Sequence, residues 1–140
     1  MHVNASSNRN AIILASDVVS YRKYMEQDQN SAIECLNSRE VILKSLFLKY
    51  GGRLFNTGGD SYFVEFQDES SAVLCAIQFQ EKIASNNDTR ADAIKLDFRI
   101  GINSGSVVDK GDNLLGDGVN IAARLEALAQ PKGISISKSV

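Results

Sequence analysis

The sequence contains one histidine, one proline and two cysteines among its 140 residues. The histidine is His2, near the N-terminus, and neither Cys35 nor Cys75 has a second metal-ligating side chain at the usual spacing. These scarcities disfavour zinc chemistry and His-based nucleophilic catalysis. Both cysteines lie in patterns that are typical of helices, and we predict that they are small apolar thiols of the core.

The sequence also lacks a charge bias and a long apolar segment. Fifteen Lys and Arg residues against 17 Asp and Glu residues give a net charge of -2, which predicts no polybasic surface for nucleic acid or anionic lipid. No run of about 18 apolar residues occurs. Residues 1–10 are polar, so neither a transmembrane helix nor a signal peptide is predicted. We therefore expect a cytoplasmic protein with no nucleic-acid partner and no direct membrane contact from this segment.

A hydrophobic content of 44% over 140 residues is enough for one domain with a substantial core. We expect this domain to occupy residues 11–140, after a disordered polar N-terminus at residues 1–10. Its first predicted element runs from Ala11 to Val19, which is a nearly continuous apolar run of strand length. Such a run is typical of a strand in the centre of a sheet.

Two helices and a hairpin are predicted next. Ser31 and Glu34 form a capping-box signal for a helix that ends at the glycine pair 51–52. Two short strands, 53–55 and 61–66, then form a hairpin around the TGGD turn. Asp68 or Ser70 caps a second helix, which we expect to end before the polar stretch 85–92. Its predicted apolar face consists of Val73, Ala76, Ile77, Gln80, Ile83 and Ala84.

The last part of the chain predicts further strands and one more helix. Residues 95–102 alternate in a strand pattern, and a separate strand is expected at 106–108. A third helix is predicted from Val119 to Ala129, before Pro131, and another strand begins at residue 133. The order predicts an α+β fold in which helices pack on a mainly antiparallel sheet, a palm-type sandwich whose first half has the ferredoxin-like βαββαβ order.

Two aspartates fall at strand ends that this order places side by side. Asp17 lies near the end of the first strand, and Asp60 follows two glycines at the hairpin tip. Asp60 is either an ordinary turn residue, since Gly58 and Gly59 can supply positive φ, or a metal ligand. Two facing carboxylates suit Mg²⁺ or Mn²⁺, and a pair of such ions activates an attacking hydroxyl. Buried structural carboxylates are the competing interpretation.

Asn120 and Arg124 are four residues apart, so they share one face of the third predicted helix. In a structural interpretation, Asn120 caps the helix and Arg124 pairs with a surface acid. In a functional one, Arg124 faces a phosphate while Asn120 orients a ribose. Arginine suits the functional role because it stays charged and donates a planar fork of hydrogen bonds.

Taken together, four segments closely resemble the class III adenylyl/guanylyl cyclase catalytic domain: ASDVVSY, KYGGRLFNTGGDSYFVEF, FRIGINSG and LLGDGVNIAARLEALAQPKGISIS. The resemblance covers about Ala11 to Val140 in motif order. It implies the nucleotide cyclase fold and a homodimer whose active sites form between protomers. It also implies a reaction in which a nucleoside triphosphate, with ATP expected first, gives a 3′,5′-cyclic monophosphate and pyrophosphate. Attached regulatory domains are usual in this family.

The resemblance implies a role for each motif residue. Asp17 and Asp60 match the metal-binding aspartates, with the backbone carbonyl of Val18 as a further ligand of two Mg²⁺ or Mn²⁺ ions. Asn120 matches the asparagine that orients the ribose, and Arg124 matches the arginine that stabilises the pentavalent phosphate.

The base-selecting positions depart from the family pattern. The usual lysine, four residues before the second metal-binding aspartate, is Asn56. Its usual aspartate partner falls at Asn113, or at Asp112 with a slip of one residue. An amide can both donate and accept hydrogen bonds, so these residues leave the base open. In this family the terminal strands carry a phosphate-binding lysine, and the sequence ends in the strand ISISKSV before them. Either the sequence is a fragment, or that phosphate contact comes from elsewhere or is missing.

Two competing functions remain. GGDSYF is similar to the diguanylate cyclase signature, but Ser61 stands where that family needs an acid. The other competitor is a catalytically silent cyclase-like domain that dimerises and binds a nucleotide. Asn56 favours this second competitor, whereas the joint presence of the metal, ribose and phosphate residues argues against it.

Overall fold

The computed structural model of the protein describes residues 8–89 and 94–140. The strands are, in chain order, β1 (Asn8–Val18), β2 (Arg53–Gly58), β3 (Ser61–Phe66), β4 (Phe98–Lys110), β5 (Asn113–Leu115) and β6 (Ile134–Ile136). The helices are α1 (Tyr21–Gln27), α2 (Gln29–Lys49), α3 (Glu69–Thr89) and α4 (Asp117–Leu128).

The strands form one sheet with the order β2-β3-β1-β4-β5, and β6 pairs with β4. Only the β4–β6 pair is parallel among the strand pairs of the described residues. The ferredoxin-like prediction is confirmed, because the first strand lies between the hairpin and the strand that follows the second long helix. β1 is therefore central, as its apolar run predicts.

The two faces of the sheet carry different layers, because successive strand residues point to opposite sides. One face packs against α2 and α3 in the larger core, which includes Leu14, Val64 and Ile100, each fully buried. The other face is covered by α4. Its smaller core consists of Ala11, Ile13, Ala15, Phe55, Val107, Leu114 and Ala122. The predicted buried positions of Cys35 and Cys75 are confirmed in the larger core.

The ends of the two long helices differ from the sequence expectation. α2 begins at Gln29, and Asp28 is its N-cap, because the Asp28 carboxylate accepts hydrogen bonds from the Ser31 amide (3.2 Å) and hydroxyl (2.8 Å). The predicted Ser31 cap is therefore wrong by three residues. At α3, Asp68 accepts from the Ser71 amide (2.7 Å), which confirms the first of the two predicted caps.

α3 continues through residues 85–89, where we predicted a loop. The reason is Asn87, which is buried and bonded to distant parts of the chain. The side-chain NH₂ group of Asn87 donates a hydrogen bond to the Leu96 backbone carbonyl (2.8 Å), and the side-chain oxygen of Asn87 accepts one from Arg39 (2.8 Å). The remainder of the predicted loop, 90–92, includes only residues outside the described ranges.

The apolar face predicted for α3 is rotated from the observed one. Ile77 is 42% exposed and Ala84 is also exposed, whereas Phe79 is fully buried. Phe79 packs against Phe47 of α2 and Phe98 of β4 with ring centroids 6.2 and 5.1 Å apart. These aromatic contacts fix which side of the helix faces the sheet.

Several strand bounds also differ from the prediction. β1 begins at Asn8, so residues 8–10 belong to the sheet rather than to the expected disordered segment, whose other residues, 1–7, lie outside the described ranges. β4 is one continuous strand, because residues 103–105 pair with β1 instead of turning. β2 extends to Gly58, and the two short elements α1 and β5 were not predicted.

Within 8–89 and 94–140, no helix combines the length and apolar character needed to cross a membrane.

Candidate active site

The end of β1 meets the tip of the β2–β3 hairpin. Ser16 pairs with Tyr62 across the two strands, which places the following residue, Asp17, next to the turn at Asp60. Gly59 adopts a positive φ of 68° in this turn. The Asp60 carboxylate accepts a hydrogen bond from the Val18 amide (3.1 Å), so the two strand ends are tied directly. The structure thus brings Asp17, Val18 and Asp60 together, as their predicted positions require.

The two carboxylates influence each other electrostatically. Burial raises the pKa of Asp60, and the negative charge of Asp17 raises it further, while the hydrogen bond from the Val18 amide lowers it. Burial and the charge of Asp60 also raise the pKa of Tyr21, at the start of α1. Each of these groups would lose proton affinity if a cation lay between the carboxylates.

An unpaired oxygen atom indicates that this cluster fits a cation. Asp17 Oδ1 is buried and has no hydrogen-bond partner among the residues that the structure describes. Such an atom is unfavourable unless it receives a donor or a metal ion. Two carboxylates and a backbone carbonyl are hard oxygen ligands of the type that Mg²⁺ and Mn²⁺ prefer.

The protein ligands would not fill the coordination shell of such an ion. In the part of the chain that the structure describes, no group of three or more His, Cys, Asp or Glu side chains is arranged to hold a metal. Mg²⁺ commonly binds through one or two carboxylates and takes its other ligands from water and substrate phosphates. The site therefore fits a metal ion that is held jointly by the protein and by oxygen atoms of water or of a bound phosphate group.

α4 lies in close backbone contact with β4. A Cβ atom at Gly101 would be 2.3 Å from the Glu126 nitrogen and 2.5 Å from the Ala122 carbonyl oxygen. A Cβ atom at Gly118 would be 2.8 Å from the Ser106 carbonyl oxygen. Glycine at these crossing points lets the helix rest directly on the strand, which fixes the direction of every side chain of α4.

We expect Gly101→Ala to destabilise the protein by about 2–3 kcal/mol, because the new methyl group would overlap backbone atoms that cannot rotate away. Urea unfolding measures this change. Gly58→Ala is the matched control, since a Cβ atom at Gly58 meets no heavy atom within 4 Å. Equal unfolding free energies for the two variants would contradict the close contact.

Helix geometry separates the inward and outward residues of α4. Ala122 and Glu126 are buried against the sheet. Asn120 and Arg124 each precede one of them by two residues, so they lie about 200° away around the helix and are exposed. Asn120 is not the helix cap, because the N-cap position belongs to Gly116. The capping interpretation of Asn120 is therefore wrong.

The two residues at the base-selecting positions lie on neighbouring elements. Asn56 is exposed on β2, next to an irregularity in its pairing with β3. Asn113 begins β5, and its side-chain oxygen accepts a hydrogen bond from the Leu114 amide (2.9 Å). Arg53 of β2 donates to the carbonyl oxygen of Asp112 (2.7 Å), so the start of β5 is tied to the strand that carries Asn56. Asp112 is exposed in the preceding turn.

Sequence reasoning missed two charged residues beside Asp17. Arg99 of β4 pairs directly with Asp17 of β1, and Glu126 approaches from α4 with 8% of its surface exposed. Burial raises the pKa of Glu126 to about 8, as do its hydrogen bond with Asp17 and the charge of Asp17, whereas Arg99 lowers it. The sequence does contain a signal for Glu126. It lies four residues after the small residue Ala122, on a helix face that packs against the sheet, and a buried acid needs a partner.

Comparison with known proteins places this architecture in a family. Residues 3–140 match the family described as the adenylate and guanylate cyclase catalytic domain. A Rhizobium meliloti (strain 1021) protein provisionally named adenylate cyclase 3 is 39% identical over 133 residues, which cover 94% of this chain and 23% of that protein. The chain spans less than a quarter of the length of the curated relatives that it matches.

Solved structures agree with this assignment. The crystal structure of an adenylate/guanylate cyclase/hydrolase from Silicibacter pomeroyi is 31% identical, has a TM-score of 0.80 and is matched over 94% of this chain and 77% of that one. The adenylyl cyclase CyaB from P. aeruginosa, at 24% identity, shares the fold with a TM-score of 0.82 over 94% of this chain and 78% of its own. The predicted cyclase fold is thereby confirmed, and the chain belongs to the adenylate and guanylate cyclase catalytic domain family.

Proposed function

We propose that the protein is a nucleotide cyclase that converts a nucleoside triphosphate, with ATP as the first candidate, to a 3′,5′-cyclic monophosphate and pyrophosphate. The observation that carries this proposal is the meeting of Asp17 and Asp60 at one end of the sheet, with a buried Asp17 oxygen that has no partner in the described part of the chain. In a member of this family, two such carboxylates are suited to bind the metal ions that accompany a nucleotide.

Each residue of the proposed site has one task. Asp17, Asp60 and the Val18 carbonyl would hold two Mg²⁺ or Mn²⁺ ions, which when bound activate the 3′-hydroxyl and neutralise phosphate charge. Asn120 orients the ribose through its amide. Arg124 donates hydrogen bonds to the α-phosphate oxygens as the 3′-oxygen attacks phosphorus and pyrophosphate leaves. Positioning and charge stabilisation are sufficient for this intramolecular reaction.

The direction of α4 supports a site that is shared between two chains. Glu126 contacts Asp17, so Arg124, on the opposite side of the helix, faces away from the metal-binding pair of its own chain. The outward face also carries Ile121 and Leu128, which are 37% and 77% exposed and fall at helical spacing from Arg124. An apolar stripe with a central arginine suits contact with a second copy, whose Asp17 would then meet this Arg124.

Incubation of the purified dimer with Mn²⁺ and, separately, ATP, GTP, CTP or UTP tests the proposal, with mass detection of cyclic monophosphates. We expect one cyclic product, and its identity would fix the base that Asn56 and Asn113 leave open. Absence of every cyclic product from a folded dimer would overturn the proposed activity.

A catalytically silent domain is the second candidate function. Amides at Asn56 and Asn113, in place of the family's charged base-selecting pair, favour it. This candidate predicts that a nucleoside triphosphate binds and is recovered unchanged. For the active enzyme we further propose that attached regulatory domains control it, because the curated relatives extend far beyond the matched region.

A further inference from the structure

Glu126 and Arg99 have no task in the proposed reaction, yet both lie against the metal-binding aspartate Asp17. Arg99 stands directly opposite Asp17 in the β1–β4 register, and the Glu126 side chain contacts the Asp17 carboxyl group. The backbone of Glu126 is held close to β4, because Gly101 has no side chain that would separate the helix from the strand. The contact therefore follows from the packing of α4 rather than from a mobile surface side chain.

The three charged groups satisfy one another only in part: Glu126 and Asp17 are hydrogen-bonded, but each of the three groups also has a buried atom without a partner in the described part of the chain. Asp17 Oδ1, Arg99 Nε and Glu126 Oε2 are each buried and lack a hydrogen-bond partner within residues 8–89 and 94–140. A polar network that is only partly satisfied is less stable than an apolar core of the same shape. Stability alone does not explain why a helix face of small residues places a carboxyl group here.

Glu126 is also not placed as a third metal ligand. Asp17, Asp60 and Glu126 are close in space, but over the residues that the structure describes they do not form a metal-binding group of three. A carboxyl group that contacts a metal ligand without binding the metal fits a different role. Such outer partners fix the orientation of the ligand and so change metal affinity without binding the metal.

We propose that Glu126 is a positioning residue that holds the Asp17 carboxyl group in the orientation in which Asp17 binds the metal ion. The inference rests on the proposed function, in which Asp17 is a metal ligand. It has a consequence for the dimer, since the helix that carries Glu126 also carries Arg124. In the shared-site arrangement Asp17 and Arg124 of one chain serve different sites, so Glu126 links the metal-binding half of one site to the phosphate-binding half of the other.

Two substitutions at Glu126 separate positioning from a structural role. Glu126→Gln keeps a side chain that donates a hydrogen bond to Asp17, and Glu126→Leu removes every polar atom at similar volume. Titration of Mn²⁺, followed by electron paramagnetic resonance of the free ion, measures metal affinity without turnover. We expect Glu126→Leu to weaken Mn²⁺ binding about tenfold or more, whereas Glu126→Gln stays within about twofold of the unmodified protein.

Thermal unfolding of the metal-free proteins supplies the second readout. Replacing Glu126 with leucine removes its hydrogen bond to Asp17, and it also removes the buried Oε2 atom, which has no partner in the described part of the chain. Because these two changes have opposite effects on stability, we expect the melting temperature to stay nearly unchanged. Weaker metal binding in a protein of equal or higher stability is the signature of positioning. A lower melting temperature with unchanged Mn²⁺ affinity would make Glu126 a structural residue and overturn the inference.

Asp17→Asn distinguishes failure of the inference from failure of the proposed site. If Asp17→Asn weakens Mn²⁺ binding and Glu126→Leu does not, the positioning role is wrong while the metal site remains. If Asp17→Asn leaves Mn²⁺ binding unchanged, Asp17 is not a metal ligand, and both proposals fail at that residue.

Discussion

Asp17→Asn and Asp60→Asn are each expected to lower metal-dependent turnover at least about 100-fold while the protein stays folded. Asparagine keeps the shape of aspartate but removes the charge that holds a divalent cation. The fold should tolerate the change, because burial disfavours the charged form of Asp60 and the negative charge of Asp17 disfavours it further, so that both raise the pKa of Asp60. The loss should therefore fall on activity rather than on stability.

The measurement is the rate of cyclic product formation at saturating Mn²⁺, together with the unfolding free energy of each variant. Asp109→Asn is the matched control, since Asp109 forms an exposed ion pair with Arg9 (2.8 Å) near the far end of β1. This control should retain full turnover, because exposed ion pairs contribute little. Full activity of Asp17→Asn or Asp60→Asn would refute the assignment of that residue to the metal site.

The parts of the fold that could be predicted from the sequence are those with strong local signals. The apolar run of β1 indicates a central strand by composition alone, and the glycines before Asp60 indicate the hairpin turn. Element order then leaves few arrangements of the sheet, which is why the neighbouring positions of Asp17 and Asp60 were predictable. The proposed site residues on these elements belong to short motifs, so each could be proposed from the sequence.

The errors lie where distant contacts override local preference. The polar stretch 85–89 has loop composition, but Asn87 bonds to Arg39 and Leu96 and extends α3. β5 has only three residues and is defined by its pairing with β4. The proposed role of Glu126 depends in the same way on two tertiary facts, the close contact of α4 at Gly101 and the β1–β4 register. Neither fact can be read from the segment around Glu126.

Mixing an Asp17→Ala chain with an Arg124→Ala chain is expected to restore about a quarter of the unmodified activity, although each variant alone is inactive. Random pairing makes about half of the dimers mixed, and each mixed dimer contains one intact site of two. That site takes Asp17 from the Arg124→Ala chain and Arg124 from the Asp17→Ala chain. The physical basis is the direction of α4, which points Arg124 away from its own Asp17.

Asp17→Ala mixed with Asp60→Ala is the control, because both changes affect the metal-binding half and no mixed dimer then contains an intact site. Recovery in the first mixture but not in the second would require Asp17 and Arg124 to act from different chains. Absence of recovery in the first mixture, with mixed dimers demonstrated by native mass spectrometry, would place Asp17 and Arg124 in the same chain's site. Arg124 would then have to reach across its own helix, which the inward contact of Glu126 with Asp17 opposes.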